Sequence, residues 1–176
     1  MTPKQPGGPV IVGYDGSPAS ECALTDAAPI LAIRRALVVV VWEAGAAFEL
    51  VAIPPDLVPA PIDIRAALQL EDKLYEAARR LAEHGAGLAR CAGLEAEALA
   101  VADEVTPAAT LVRLARERDA PAVVVGTRGH RGLTHALLGS TAEEVMRQAP
   151  CPVVVRGPGG TGHRRTSAAP ASQEER

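Results

Sequence analysis

Pro121-Ala-Val-Val-Val-Gly126-Thr127-Arg128-Gly129, nine residues from His130 to Leu138, and then Gly139-Ser140-Thr141-Ala-Glu143-Glu144-Val-Met-Arg147 decide how this chain is read. The run from Val123 to Val125 is β-branched throughout, as in a parallel strand that helices cover on both faces, where no polar alternation is needed. It stops at Gly126. Gly139-Ser140-Thr141 has the composition of a helix start. With Ser140 as N-cap, Glu143 takes the third helical position and completes a capping box, and Glu143 and Glu144 bring negative charge to the helix's positive end. Val145 and Met146 are expected to face the sheet. Pro150 and Pro152 end the helix before the next apolar run, Cys151-Pro-Val-Val-Val-Arg156. The unit is strand, glycine-bearing loop, helix, strand.

Such a loop suits phosphate. Glycines let the backbone approach an anion closely, and the free amides of a helix start point outward with partial positive charge. Arg128, His130 and Arg131 add donors. The plainer alternative is that Gly126, Gly129 and Gly139 only make tight turns, and the full array counts against it.

The spacing Gly126-x2-Gly129-x9-Gly139-Ser140 resembles the nucleotide-binding signature of the ATP-binding branch of the universal stress protein family, with both glycine intervals matching. The resemblance implies ATP as ligand, with Mg2+. It puts Gly126 near the ribose and Gly129, Gly139 and Ser140 on the phosphates. Thr127, Arg128, His130 and Thr141, which interleave with these, join the candidate site.

Working outward, Pro9-Val-Ile-Val-Gly13-Tyr14 reads as a buried strand. Asp15-Gly16-Ser17-Pro18 turns the chain into a helix, with Ser17 as N-cap and Pro18 at the first helical position. That helix carries Ala19, Cys22, Ala23, Ala27, Ile30 and Ile33 on one side. Asp15 stands just past the carboxyl end of a strand, where open α/β sheets bind ligands, although Asp-Gly is also an ordinary turn. The resemblance assigns this Asp to the nucleoside, and Gly13 and Tyr14 belong to the same turn. Leu37 to Trp42 is a second apolar strand. By the same resemblance Val41 meets the adenine through its backbone; Trp42 either covers a base or packs at the rim.

Residues 43–63 lose all pattern and gather four prolines, so they form either a flap over the pocket or a disordered loop. Ile64, Ala67, Leu68, Leu74, Ala78, Leu81 and Leu88 recur at helical spacing and predict a long helix ending near Gly93, with His84 on its surface. Leu94 to Val101 passes for a strand. Thr106 and Pro107 start a helix that runs to Arg118. The turn before it, Ala102-Asp103-Glu104-Val105, lacks the glycine often found there in the family, and its two acids would repel a phosphate that they faced.

The remaining composition bounds the function. The chain has 176 residues and a formal net charge of −3, with four aromatic side chains (Tyr14, Trp42, Phe48, Tyr75), so it offers neither a basic footprint nor stacking platforms for nucleic acid. No apolar run reaches the roughly 18 to 20 residues of a membrane span, and the polar start lacks a signal-peptide core, which predicts a cytoplasmic protein. Cys22 and Cys151 read as small core residues, and Cys91 as an exposed thiol at a helix end. None of the three shows metal-ligand spacing. His130 and His135 read as polar donors rather than as metal ligands.

Five strands alternating with helices require a parallel, doubly wound sheet. The resemblance adds strand order 3-2-1-4-5, as in Rossmann-like adenine nucleotide α-hydrolase-like folds, with Asp15 and Gly126 flanking one crevice. The expected organisation is a flexible N-terminus over residues 1–8, one domain over 9–156 with 43–63 as its variable loop, and a disordered tail over 157–176. The family also implies a homodimer through the last strand, Val153 to Val155. Binding residues are visible and catalytic ones are not: no Walker pattern is present. The first reading is a nucleotide-responsive stress module. The others are a slow ATPase or self-phosphorylating enzyme modified at Ser140 or Thr141, and a dimeric scaffold that takes another adenine nucleotide such as cyclic AMP.

Overall fold

The structure, a computed structural model, describes residues 7–29, 35–46, 63–103, 105–127, 129 and 138–157. Nine elements alternate: β1 (Val10–Gly13), α1 (Pro18–Ala27), β2 (Arg35–Trp42), α2 (Ile64–Cys91), β3 (Glu95–Ala102), α3 (Pro107–Glu117), β4 (Val123–Gly126), α4 (Ser140–Gln148) and β5 (Val153–Arg156). All strand pairs are parallel, and the sheet order is β3-β2-β1-β4-β5. This is the expected doubly wound sheet. The order reverses between β1 and β4, so the connections after these two strands diverge and leave a crevice at the carboxyl edge.

The side-chain alternation of the strands divides the core into two layers. Val10, Val12, Tyr14, Val38, Val40 and Val124 face α1 and α2, whereas Ile11, Leu37, Val39, Val123 and Val125 face α3 and α4. Val10, Ile11, Val12, Val38, Val39, Val123 and Val124 are at most 1% exposed. Burying a side chain of this size contributes about 1.5–3 kcal/mol. β-branched residues thus serve both as strand formers and as the centre of the core.

α2 lies against the sheet through small residues. Ala78, Ala82, Gly85, Ala86 and Ala89 are buried, which lets the helix come close enough for the ring of Tyr14 to pack on Gly85. A Cβ at Gly85 would stand 2.7 Å from Tyr14 Cδ1. The large apolar residues of its first half do not join this stripe: Ile64 is 63%, Leu68 51% and Leu74 37% exposed. They share a helical period with the buried stripe, but in this first half only Ala67 is fully buried. Met146, expected to face the sheet, is also exposed, and Ala142 and Val145 fill the buried face of α4.

The caps of α1 and α3 are those the composition predicts. Ser17 and Thr106 accept hydrogen bonds from Ser20 N and Ala109 N, each followed by proline at the first helical turn. Asp63 caps α2 in the same way through Ala66 N, at 2.7 Å. α1 is assigned up to Ala27, and Ile30 and Ile33 lie outside the described residues. Cys22 and Cys151 are half-buried and not fully in the core, Cys91 is exposed, and no disulfide joins them.

Candidate functional site

The site is assembled from two turns at the carboxyl edge. The first follows β1. Gly13 has no room for a side chain, since a Cβ there would lie 2.9 Å from Leu111 Cδ1. The chain then passes Tyr14, whose ring lies on the opposite face against α2, and reaches Asp15. Oδ1 of Asp15 accepts from the Ser17 amide at 3.0 Å and from the Ser17 hydroxyl at 2.6 Å. Gly16 supplies the positive φ of 77° that the turn requires. Ser20 completes the knot, donating to Ser17 O at 2.9 Å and accepting from the Asp15 amide at 3.4 Å.

The second turn follows β4. Gly126 rests directly on the start of α1: a Cβ there would be 2.8 Å from both Ala19 C and Ser20 N. Two residues on, a Cβ at Gly129 would stand 2.6 Å from Asp15 Oδ2. Asp15 and the glycine loop, distant in sequence, therefore meet as expected. Arg128, His130, Arg131 and His135 lie outside the described residues.

The start of α4 differs from the capping box read in the sequence. Gly139, not Ser140, is the N-cap, and no side chain caps the helix. The Gly139 carbonyl accepts from Glu143 N at 3.0 Å, which fixes the frame one residue earlier and puts Glu143 at the fourth helical position, too far along to reach back. Glu144 points elsewhere. Its carboxylate accepts from Thr106 Oγ1 at 3.3 Å and from Gln148 Nε2 at 3.1 Å, so its charge sits at the start of α3. The amides of Ser140, Thr141 and Ala142 consequently begin a helix with no intrahelical acceptor, at the positive end of its dipole.

Between these turns lies a cavity of about 560 Å³, within the range usual for small-ligand sites. Gly13, Tyr14, Asp15, Val41, Gly126, Gly129, Gly139, Ser140 and Thr141 all line it, as does Ala142. Thr127 is not among its lining residues; it spends both backbone groups in holding the loop, donating to Arg156 O and accepting from Gly139 N, each at 2.7 Å. Trp42 faces away and packs beside Tyr75, with ring centroids 6.0 Å apart, so it belongs to the rim and not to the base slot. Asp103 also stands outside the lining, with its amide bonded to Trp42 O at 2.9 Å.

Several lining residues carry no motif. Val39, Val125 and Leu111 form an apolar wall with Val41 and Pro107, and Ser20 contributes a polar one. Val39 was legible in principle, because it lies two residues before Val41 on the same strand face. Leu111 was not, since only the packing of α3 across β1 brings it there.

Tyr14 is 3% exposed, and among the described residues its buried hydroxyl has no close hydrogen-bond partner, the Glu21 carboxylate approaching it only loosely. Burial raises its pKa above the ordinary 10.0, and the nearby negative charges of Glu21 and Asp15 add to the effect. Burial likewise raises the pKa of the Cys151 thiol, which favours an inert structural cysteine.

The cleft presents an apolar wall suited to a flat ring, a carboxylate suited to hydroxyl groups and an uncapped helix start suited to an anion. Fold and cleft together define a doubly wound α/β protein whose ligand crevice lies at the switch point of the sheet. The chain belongs to the universal stress protein family, whose profile matches residues 8–156. A universal stress protein of Mycobacterium tuberculosis is 37% identical over 148 residues, 84% of this chain and 44% of that protein. The chain therefore spans less than half the length of this curated relative. Among solved structures, UspA from Lactobacillus plantarum shares the fold at a TM-score of 0.64 and 21% identity, over 85% of this chain and 97% of that one. A universal stress protein of Archaeoglobus fulgidus in complex with dAMP matches at 0.54 and 23%, over 86% and 98%. One in complex with cAMP matches at 0.54 and 24%, over 85% and 96%. Among the described residues no helix is long and apolar enough to cross a membrane.

Proposed function

We propose that this chain is an ATP-binding universal stress protein module that responds to nucleotide state, with hydrolysis at most slow. The observation that carries the reading is the uncapped start of α4, whose first residues Ser140, Thr141 and Ala142 line the cleft together with Asp15 and Gly129. Anions bind such helix starts because amide dipoles and hydrogen-bond donors converge there. The dAMP and cAMP complexes of proteins with this fold support an adenine nucleotide as the ligand class. In this reading the base lies along Val39 and Val41, Asp15 and Gly126 hold the nucleoside, and Gly139, Ser140 and Thr141 hold the phosphates. Thr127 holds the frame of this loop through its backbone, and Arg128 and His130, which lie outside the described residues, are further donors to the phosphates in this reading. Mg2+ arrives with the nucleotide, bound by phosphate oxygens and water, because the described residues include no group of three metal-ligating side chains.

Residues 9–156 are the functional unit in this reading, acting in the cytoplasm as a homodimer. β5 supports the dimer: it is an edge strand, and Val153, Val154 and Val155 remain only half-buried. An apolar edge of this kind is covered by pairing with a second copy.

Thermal unfolding of nucleotide-stripped protein with Mg-ATP, AMP and cAMP tests the reading. Ligand at a hundred times its dissociation constant stabilises by about 2.7 kcal/mol, which raises the midpoint by about 5–10 °C in a domain of this size. A shift with ATP that exceeds the shift with AMP and cAMP is expected. No shift with any nucleotide at millimolar concentration discards the site, and a shift with cAMP alone replaces ATP by the cyclic nucleotide.

A further inference from the structure

The exit of β5 is joined to the start of α4 by an unbroken series of backbone contacts. Thr127 N donates to Arg156 O at 2.7 Å, Gly139 N donates to Thr127 O at 2.7 Å, and Glu143 N donates to Gly139 O at 3.0 Å. Arg156 is itself fixed from the other side, its guanidinium meeting Asp26 of α1 at 2.8 Å. Gly157 then packs so closely on Thr127 that a Cβ would overlap the Thr127 hydroxyl oxygen and lie 3.0 Å from its methyl carbon. Gly157 does not line the cleft.

We infer that Gly157 and Thr127 are positioning residues for the phosphate side of the nucleotide site. Because the Thr127 backbone is bonded on both sides, a push on its side chain is passed to Gly139 and hence to the amides of Ser140 and Thr141. Among the described residues the bonds of the series run between Arg156, Thr127, Gly139 and Glu143, and none is to Val39, Val41 or Leu111, which form the apolar wall. The device therefore sets the grip on phosphates and leaves the base slot alone. It also makes β5, the outermost strand on the α4 side, a point from which the site can be tuned: whatever packs on the β5 exit shifts the frame of the phosphate-binding helix. The inference rests on the nucleotide reading for its ligand, but not for its mechanics.

The test is a double-mutant cycle of Gly157→Ala and Thr127→Ala, with ATP and adenosine dissociation constants from calorimetry and with hydrogen exchange of the Gly139 amide in ligand-free protein. Gly157→Ala is expected to weaken ATP by about tenfold, within the span that remote coupling mutations reach, to leave adenosine within about twofold and to speed Gly139 exchange. Adding Thr127→Ala removes the hydroxyl and methyl that the new Cβ meets, so the double variant should bind ATP more tightly than Gly157→Ala alone and recover Gly139 protection. Asp26→Asn, which loosens the Arg156 anchor without adding bulk, provides a second variant should Gly157→Ala fail to fold; a loss of about two- to threefold in ATP, again without change in adenosine, is expected. The inference is overturned if ATP and adenosine weaken equally, if Gly157→Ala behaves as the parent does, or if the double variant is no better than the single. Should the parent bind no nucleotide, the nucleotide reading falls and exchange alone decides: unchanged Gly139 exchange in Gly157→Ala sinks the relay.

Discussion

The β1–α1 turn and the β4–α4 connection occupy neighbouring places at the same sheet edge, and each starts a helix, yet they treat the helix start in opposite ways. At α1 the Ser17 hydroxyl caps Ser20 N, while Asp15 and Ser20 bond back to the turn, so the first amides are supplied from within. At α4 the cap is a glycine with no side chain to offer. Ser17 and Ser20 are buried, whereas Ser140 is exposed. The difference shows a division of labour. The closed turn holds Asp15 rigidly, and the open one leaves donors for a ligand to satisfy. Of the four described helices, α1, α2 and α3 have side-chain caps and α4 has none.

The harshest way to break this arrangement is at the place where the two turns touch. Gly126→Val forces a side chain against the backbone of Ala19 and Ser20, neither of which can rotate away. A loss of about 3 kcal/mol is expected in urea unfolding, at the upper end of the usual overpacking cost. Gly129→Ala meets a side chain and not backbone, but the Asp15 carboxylate it meets at 2.6 Å is held by Ser17, so a smaller loss of about 1 kcal/mol is expected in the same urea unfolding.

A sharper experiment gives α4 the cap it lacks. Gly139→Asp supplies both a side-chain acceptor and a negative charge at the helix start, so the ligand-free protein should be as stable as the parent or gain up to about 1 kcal/mol. The same carboxylate occupies the anion position, and ATP affinity should drop at least tenfold. A variant that gains stability and still binds ATP would show that the open helix start is not the phosphate site.

Cap deletions rank next. Ser17→Ala and Thr106→Ala should each cost about 1 kcal/mol in thermal or urea unfolding, the usual worth of an N-cap. Ser140→Ala should change ligand-free stability by less than about 0.5 kcal/mol, because Ser140 is the first helical residue and not the cap. A full cap-sized loss at Ser140 would restore the capping box.

The smallest effect belongs to Tyr14, beside the closed turn. Its pKa is raised in the folded protein, chiefly by burial, so the unfolded phenol ionises first, near 10.0. Stability is fully present below that pH and declines as pH rises toward the folded pKa. Tyr14→Phe removes a buried hydroxyl that only Glu21 approaches and should shift neutral-pH stability by less than about 1 kcal/mol. It should also flatten the alkaline decline, which a pH series of urea melts above pH 9 would reveal.

Much of this could be read from local order in the chain. Val123 to Val125 announced a buried parallel strand, and Ser17-Pro18 and Thr106-Pro107 announced helix starts, because each signal acts within four residues. The glycine spacing pointed to the crevice for the same reason: a turn that needs close backbone approach tolerates little else. Ser140 was misread because N-cap preference is a matter of composition, and the true frame depends on the bond between Thr127 O and Gly139 N, which reaches across twelve residues. Met146, expected to face the sheet, is exposed, because helical periodicity gives a face but not the extent of the surface that covers it.

The sequence by itself determined the alternation of strands and helices, the parallel sheet they require and the two glycine-bearing turns, since these follow from side-chain shape and backbone freedom over short spans. Only the tertiary structure decided which helix start stays uncapped, that Leu111 walls the cleft and that Gly157 leans on Thr127. Those outcomes depend on the meeting of Thr127 with Gly139, of Thr127 with Gly157 and of Gly13 with Leu111, which are 12, 30 and 98 positions apart, and no local preference encodes the geometry in which such residues meet.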